Sequence, residues 1–138
     1  MNSKIVVFMP SIEGGGVEKN LFLVCNYLVK KVRNLKVITI SKNFKRKFSN
    51  SIEIVTYSYN FLDKLSRKLK YLLSIFLLIK EILKNKKIIV LSFQANLYCI
   101  IICKLFAVKV ISRSNSAPIG WSKNSIKRYI FKKILNLS

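Results

Sequence analysis

Three consecutive glycines, followed by polar residues, form the clearest candidate binding segment of this chain. The segment reads Gly14-Gly15-Gly16-Val17-Glu18-Lys19-Asn20. Glycines let a ligand approach the backbone closely, and the N–H groups that they expose can bind an anion such as phosphate. A dinucleotide fingerprint would need a glycine at Lys19 and an acid at Ser41, and no Walker A sequence occurs. Ligand binding and a flexible strand-to-helix turn therefore both remain open for these glycines.

Two further polar segments follow apolar runs later in the chain. Ser92, Gln94 and Asn96 form the first, and Arg113 and Asn115 belong to the second. Neutral hydroxyl and amide groups suit sugar hydroxyls, whereas the Arg113 guanidinium could hold an anion. Helix capping would explain the first segment equally well, and a polar turn ahead of a proline would explain the second.

The composition excludes several kinds of catalysis. Histidine is absent, so the chain has no imidazole base, no Ser-His or Cys-His pair and no histidine metal ligand. Its five acidic residues are scattered, which argues against a paired-carboxylate site: Glu13, Glu18, Glu53, Asp63 and Glu81. We therefore predict no catalytic residue and no metal site within this chain.

The three cysteines indicate buried thiols in a reducing compartment. Cys25, Cys99 and Cys103 are odd in number and lack the spacing of a disulfide framework. Cys99 and Cys103 are placed to share one helix face, but no further ligand accompanies them.

The chain alternates β-rich and helical patterns. Predicted strands are Lys4–Pro10, Leu35–Ser41, Ile52–Tyr57, Lys87–Phe93 and Lys109–Arg113. Predicted helices start at Val17 and cover Leu62–Leu83, Ala95–Ala107 and Lys123–Leu137. The second of these is amphipathic, with lysines mostly opposite an apolar stripe that consists of Leu62, Leu65, Leu69, Leu72, Leu73, Phe76, Ile79, Ile82 and Leu83. This alternation predicts an α/β fold: a Rossmann-like, open, doubly wound parallel sheet of about five strands with helices on both faces. Its ligand site would lie at the carboxyl ends of the strands, where the polar segments stand.

The chain is strongly basic, with 26 Lys and Arg and a formal net charge of +21 over 138 residues. The basic residues cluster over 30–47, 64–87 and 123–133. These clusters either form solvated helix faces or provide a surface that binds anionic membranes. The last predicted helix is basic on one face and apolar on the other, which is typical of a helix in a membrane interface. No nucleic-acid-binding motif occurs, so nucleic acid is not a predicted partner. No apolar run reaches the roughly 18–20 residues of a membrane span.

Three segments, in order, resemble those of family 4 retaining glycosyltransferases. Glu13-Gly14-Gly15-Gly16-Val17-Glu18-Lys19-Asn20 resembles the family's Gly-Gly-x-Glu loop after the first strand. Val90-Leu91-Ser92-Phe93-Gln94-Ala95-Asn96 resembles its fourth-strand segment, and Lys109–Asn115 with Ala117-Pro118 resembles its strand, Arg-Ser-Asn, Pro segment.

The resemblance implies a role on the acceptor side of a two-domain enzyme of the GT-B fold. In that family the first domain mainly binds the acceptor. The second binds a nucleotide-sugar donor and carries a Glu-x(7)-Glu motif, and no metal is required. Gly14, Gly15 and Gly16 would line the cleft near the donor phosphates or the acceptor, with Glu18, Lys19 and Asn20 opening the helix behind them. Ser92, Gln94, Asn96, Arg113 and Asn115 would face the acceptor.

The chain departs from the family in length and in its acids. No Glu-x(7)-Glu motif can occur after Glu81, the last acid, and the histidine that many members carry in this half is absent. Residues 1–138 are therefore expected to form an N-terminal acceptor-side domain without its donor domain. A truncation, a split enzyme whose donor domain is a separate chain, and a decayed remnant all remain open.

The resemblance also implies the substrates and the location. The full-length family would transfer a glycosyl group from a nucleotide sugar to a glycan or lipid-linked acceptor in polysaccharide or lipopolysaccharide biosynthesis. This chain alone would have no cofactor and no turnover. We expect it in the cytoplasm, with the inner face of the plasma membrane as its peripheral site. The alternative is a basic module that binds membrane surfaces or polyanions without catalysis.

Overall fold

The computed structural model describes residues 4–113, residue 129 and residues 132–134. The strands are β1 Lys4–Phe8, β2 Asn34–Ile38, β3 Glu53–Val55, β4 Ile88–Ser92 and β5 Lys109–Ser112. The α-helices are α1 Gly16–Leu28, α2 Arg67–Lys84 and α3 Asn96–Leu105, with short 3-10 helices at Lys45–Lys47 and Asn60–Lys64. Asn115 and most of the predicted helix over 123–137 lie outside the described residues.

All five strands are parallel and form one sheet in the order β3-β2-β1-β4-β5. The register pairs Phe8 at the end of β1 with Ile38 of β2 and with Ser92 of β4, so the carboxyl ends of the central strands are level. This arrangement confirms the predicted α/β class and the Rossmann-like open sheet.

Alternating side chains of the central strand pack into two separate cores, one on each face of the sheet. Val6 and Phe8 of β1 face the core that α2 and α3 cover. Val7 faces the core that α1 covers. Burial on both faces explains why the strands read as continuous β-branched runs rather than as alternating patterns. Each fully buried side chain of this kind contributes roughly 1.5–3 kcal/mol.

The long helix predicted over Leu62–Leu83 is wrong in its extent. Leu62 lies in the 3-10 helix Asn60–Lys64, and Leu65 and Ser66 then adopt extended backbone angles before α2 begins at Arg67. Two consecutive extended residues interrupt the helical hydrogen bonds, so the two pieces are separate. The predicted strands also extend up to three residues beyond the observed ones, because ladder hydrogen bonds such as Met9 N–H to the Ile38 carbonyl continue past the assigned strand ends.

The apolar stripe predicted for this helix is buried only in part. The residues of α2 that face the sheet are Lys70, Ser74, Leu77, Leu78, Glu81 and Ile82. Four members of the predicted apolar stripe lie on the opposite, solvent-exposed side: Leu69, Leu72, Phe76 and Leu83. The helix therefore has apolar residues on both sides, and Lys70 and Glu81 lie among the residues that face the sheet.

Among the described residues, no helix combines the length and the apolar character needed to cross a bilayer.

Candidate functional site

The carboxyl edge of the sheet brings two of the predicted loops to neighbouring strands. The chain leaves β1 toward β2 on one side and leaves β4 toward β5 on the other, so a switch point lies between β1 and β4. Open α/β sheets hold ligands at such a point, because the diverging loops leave space between them. Phe93 N–H donates to the Phe8 carbonyl at 3.0 Å, and Arg113 N–H donates to the Ser92 carbonyl at 2.9 Å. The loops after β1, β4 and β5 therefore start side by side.

The loop after β1 is held from both sides. Ser11 N–H donates to Gln94 Oε1 at 3.1 Å, across the switch point. Ile12 N–H donates to Ser41 Oγ at 3.0 Å, at the end of the β2 segment. Gln94 thus supports the loop through its side-chain oxygen, and its amide nitrogen is the part suited to contact a ligand.

The three glycines have three different surroundings. Gly14 has φ +90°, a conformation that favours glycine. A Cβ added at Gly15, the N-cap of α1, would lie 2.9 Å from Glu18 Oε2. A Cβ added at Gly16 would meet nothing within 4 Å. Only Gly14 therefore needs glycine for its backbone conformation, whereas a side chain at Gly15 would have to displace the Glu18 carboxylate.

A carboxylate already occupies the region behind the glycine loop. Glu18 is buried in the first turn of α1, and its Oε1 accepts a hydrogen bond from Glu13 N–H at 3.4 Å. The positive end of a helix dipole stabilises such a carboxylate, so the helix start carries its own negative charge. Glu18 by itself would repel a phosphate, but Arg67 and Lys70 lie near the same loop and oppose this repulsion. Neutral sugar hydroxyls carry no net charge and are little affected by either sign.

Lys19 and Asn20 lie exposed on the first turn of α1 rather than in the loop. Asn20 Nδ2 donates to the Gly16 carbonyl at 3.3 Å, which is a contact within the helix. Neither residue is joined to the β4 loop by a hydrogen bond in the described part of the chain.

Arg67 reaches the glycine loop, and sequence reasoning missed it. Its Nε donates to Glu13 Oε1 at 3.1 Å, and its second guanidinium nitrogen contacts Glu13 Oε2. Ser11 Oγ also donates to Glu13 Oε1 at 3.1 Å. The two partners of the ion pair are 54 residues apart, so no local spacing could have indicated it.

Replacing Arg67 with glutamine should raise the pKa of Glu13 toward its ordinary value of 4.5. In the native chain the hydrogen bonds from Arg67 and Ser11 hold that pKa below this value. A lowered pKa in the folded state stabilises the fold above pH 4.5, and this contribution is lost as the pH falls through the lowered pKa. Carboxyl NMR titration measures the shift. Lys68→Gln, which removes an exposed charge one residue away, is the control, and an equal shift in both variants would contradict the assignment.

The first two turns of α2 place a second cation and a tyrosine near the same loop. Lys70 is buried, and its charge also lowers the pKa of Glu13. Burial raises the pKa of Tyr71, which also feels the charges of Arg67 and Glu13 and lies near Tyr98. The only sequence signal for these contacts was the spacing of Arg67 and Lys70 by three residues, which is typical of one helix side. The sequence analysis attributed these basic residues to a solvated helix face.

Ser92, Asn96 and Arg113 form a connected group at the ends of β4 and β5. Ser92 is fully buried, and its hydroxyl donates to Asn96 Oδ1 at 2.8 Å. Asn96 Nδ2 donates to the Arg113 carbonyl at 2.7 Å. The Arg113 guanidinium stands 5.4 Å from the centre of the Phe93 ring. The polar groups of Ser92 and Asn96 therefore form hydrogen bonds that position the loops. The half-buried side chains of Gln94 and Arg113 are the ones suited to contact a ligand.

The cysteines lie in α1 and α3, and the prediction that they are buried free thiols is confirmed. Burial raises the pKa of Cys25 to about 12. The hydrogen bond with Cys103, together with burial, raises the pKa of Cys99. In the described ranges, no group of three or more His, Cys, Asp or Glu residues is arranged to hold a metal ion.

A cavity of about 190 Å³ lies at the opposite, amino edge of the sheet. Lys4, Lys36, Glu81 and Lys84 contribute to its lining. It is separated from the glycine loop by the length of the strands and is not part of the candidate site.

Comparisons of the chain with protein-family models, with curated proteins and with solved structures find no match.

Proposed function

We propose that this chain is the acceptor-side domain of a family 4 retaining glycosyltransferase of the GT-B fold. The observation that supports this most is the contact between Ser11 N–H and Gln94 Oε1 at 3.1 Å. It joins the glycine loop to the polar β4 loop at the switch point, where an open sheet of this kind holds its ligand. These are also two of the segments in which the chain resembles that family.

The groups at this edge suit an acceptor better than a donor. Gln94 and the backbone around the glycines offer neutral hydrogen-bonding groups, which match sugar hydroxyls. Glu13 and Glu18 place carboxylates beside the same glycines, but Arg67 and Lys70 lie close to them, so the local charge gives a nucleotide-sugar pyrophosphate no advantage there. The donor would be bound by a second domain or a separate chain, and the reaction would take place in the cleft between the two. The chain alone would then bind acceptor without turnover.

The proposed acceptor is a glycan or a lipid-linked saccharide of polysaccharide or lipopolysaccharide biosynthesis. The proposed location is the cytoplasm, at the inner face of the plasma membrane. A chain with 26 basic and 5 acidic residues is attracted to anionic lipid, which supports the membrane part of the proposal.

Gly15→Ala tests the loop, with Gly16→Ala as a matched control. The methyl group at position 15 would lie 2.9 Å from Glu18 Oε2 and displace the carboxylate that accepts from Glu13 N–H, so it would disturb the loop, whereas the one at position 16 meets no atom within 4 Å. We expect saccharide affinity, followed by saturation-transfer NMR over an oligosaccharide panel, to fall about tenfold for the first variant and to stay within about twofold for the second.

Two results would contradict the proposal. One is equal saccharide affinity in both glycine variants. The other is glycosyl transfer from a nucleotide sugar by the purified chain alone, which would show that no donor domain is needed.

The alternative is a basic module that binds polyanions without any catalytic role. The 26 basic residues of this chain favour the alternative. It predicts steeply salt-dependent binding to nucleic acid or anionic vesicles, with no effect of changing Gly15 or Arg113. Variants at Gly15 and Arg113 therefore distinguish the acceptor domain from the polyanion-binding module.

A further inference from the structure

The outer side of α2 carries a line of exposed apolar residues. Leu69, Leu72, Phe76 and Leu83 are spaced by three, four and seven residues, which places them along one side of the helix. Leu72 and Phe76 at the centre are 50% and 56% exposed. The polar side chains of α2 that are buried, such as Ser74 and Glu81, point instead toward the sheet. A helix that turns its apolar line outward needs another surface to cover that line.

Helix α3 continues this apolar surface. Tyr98, Ile101 and Leu105 are exposed and have the spacing of one helix side. The inner residues of α2 and α3 share one core, so the two helices cover the same face of the sheet. Their outer lines consequently face the same way. We call the seven exposed apolar residues of the two helices the α2–α3 face.

The charge around this face is of one sign. Lys68, Lys80 and Lys84 of α2 and Lys104 of α3 are exposed. Glu81 is the only acid within the two helices, and it is buried against Lys36 and Lys84. An apolar line edged by lysines is typical of a helix that lies in the interface of an anionic bilayer.

A second copy of the chain would be a poor occupant. Two α2–α3 faces packed together would bring the lysines of both copies close, without acids to neutralise them. Anionic lipid headgroups supply the opposite charge, and the acyl region accepts the apolar side chains.

We propose that the α2–α3 face docks on an anionic lipid bilayer, with both helices lying parallel to the membrane plane. This inference rests on the membrane location in the proposed function and names the surface responsible. Arg67, at the start of α2, contacts Glu13 in the glycine loop, so the candidate site adjoins the docked face. A lipid-linked acceptor could reach the switch point from the same membrane.

The test is flotation of the whole chain with vesicles of phosphatidylglycerol and phosphatidylcholine, against phosphatidylcholine alone. The variant Leu72→Gln/Phe76→Gln should bind the mixed vesicles at least about tenfold more weakly. The control Leu23→Gln/Tyr27→Gln changes equally exposed residues of α1 on the other face and should stay within about twofold. Both pairs alter exposed positions, and circular dichroism checks that the variants fold.

A second pair of variants tests the charges. Lys68→Gln/Lys80→Gln should weaken vesicle binding about fivefold per lysine at low salt, and binding should fall as salt rises to about 0.5 M. Lys30→Gln/Lys45→Gln, which removes two exposed lysines elsewhere, is the matched control. Losses in the α2 pair alone would support the proposal, and equal losses in both pairs would overturn it.

Two further results would overturn the docking surface. If the native chain binds vesicles but Leu72→Gln/Phe76→Gln binds as well as it does, another surface is responsible. If the native chain ignores anionic vesicles and sediments as a dimer that this variant disrupts, the occupant is a second copy. Neither result depends on the saccharide affinity of Gly15→Ala, so the docking surface and the acceptor function are tested independently.

Discussion

Glu81→Ala should lower the free energy of unfolding by about 3 kcal/mol, the largest effect expected from a single charged residue in this chain. The Glu81 side chain is only 6% exposed, and its two oxygens bind Lys36 at 3.0 Å and Lys84 at 2.6 Å. Removing a buried carboxylate leaves the largely buried Lys36 ammonium with one fewer partner. We place the effect at the lower end of the range for broken buried pairs, because Lys36 keeps Glu53 and Lys84 is half exposed.

Glu53→Ala is the matched control for this prediction. Glu53 binds the same Lys36 nitrogen at 2.9 Å, but its side chain is 56% exposed. Exposed ion pairs contribute little, so we expect a loss below about 1 kcal/mol. Urea unfolding at neutral pH, followed by circular dichroism, measures both variants, and equal losses would contradict the buried role of Glu81.

Acidification should reduce the difference between Glu81→Ala and the native chain. Burial alone would raise the pKa of Glu81, but hydrogen bonds from Lys84 and Lys36 outweigh it and hold the pKa below its ordinary value of 4.5. The stabilisation is therefore complete above pH 4.5 and is lost as the pH falls through the lowered pKa.

Asn96→Ala should cost about 2–3 kcal/mol and release the loop after β5. Asn96 joins the buried Ser92 hydroxyl to the Arg113 carbonyl, at 2.8 Å and 2.7 Å. Alanine would leave both groups without this partner, and each lost buried or half-buried hydrogen bond costs roughly 1–1.5 kcal/mol. Thermal or urea unfolding measures the loss.

Hydrogen exchange gives a local readout for the same variant. The Arg113 amide donates to the Ser92 carbonyl at 2.9 Å, so its exchange should become faster when Asn96 no longer holds the two strand ends together. Asn20→Ala is the control, because Asn20 is exposed and bonds only a carbonyl of its own helix at 3.3 Å. We expect that control to change stability by less than about 0.5 kcal/mol. Unchanged Arg113 exchange in Asn96→Ala would refute the bridging role.

Local sequence patterns were sufficient for the fold class. Runs of Val and Ile bounded by turn residues indicated each strand, and a helical spacing of apolar residues indicated each helix between them. These periodicities depend only on neighbours along the chain. The ends of the elements were less well predicted, because the last ladder bonds, such as Met9 N–H to the Ile38 carbonyl at 3.0 Å, continue past the assigned strand.

The orientation of α2 could not be predicted in the same way. The helix has apolar residues on two sides, so its periodicity identifies a helix without saying which side is buried. Two long-range ion pairs accompany the observed choice: Arg67 binds Glu13 at one end, and Glu81 binds Lys36 at the other. Glu13 lies in the loop after β1 and Lys36 lies in β2, so the spacing of residues within α2 could not indicate either ion pair.

The candidate site shows the same division. The rule that ligands lie at the carboxyl ends of parallel strands brought the glycine loop and Gln94 to one place before any contact was known. It could not indicate that Ser92 and Asn96 bond each other, or that Arg67 closes over Glu13. Those pairings depend on which side chains meet in space.

The sequence by itself determined the α/β fold, the absence of histidine chemistry and the edge of the sheet on which the candidate site lies, because composition and short-range periodicity carry that information. Only the tertiary structure decided which polar groups form hydrogen bonds or ion pairs inside the protein and which apolar residues of α2 face outward. Both depend on long-range packing and ion pairing between residues such as Glu81 and Lys36, which lie far apart in the chain and 3.0 Å apart in the fold.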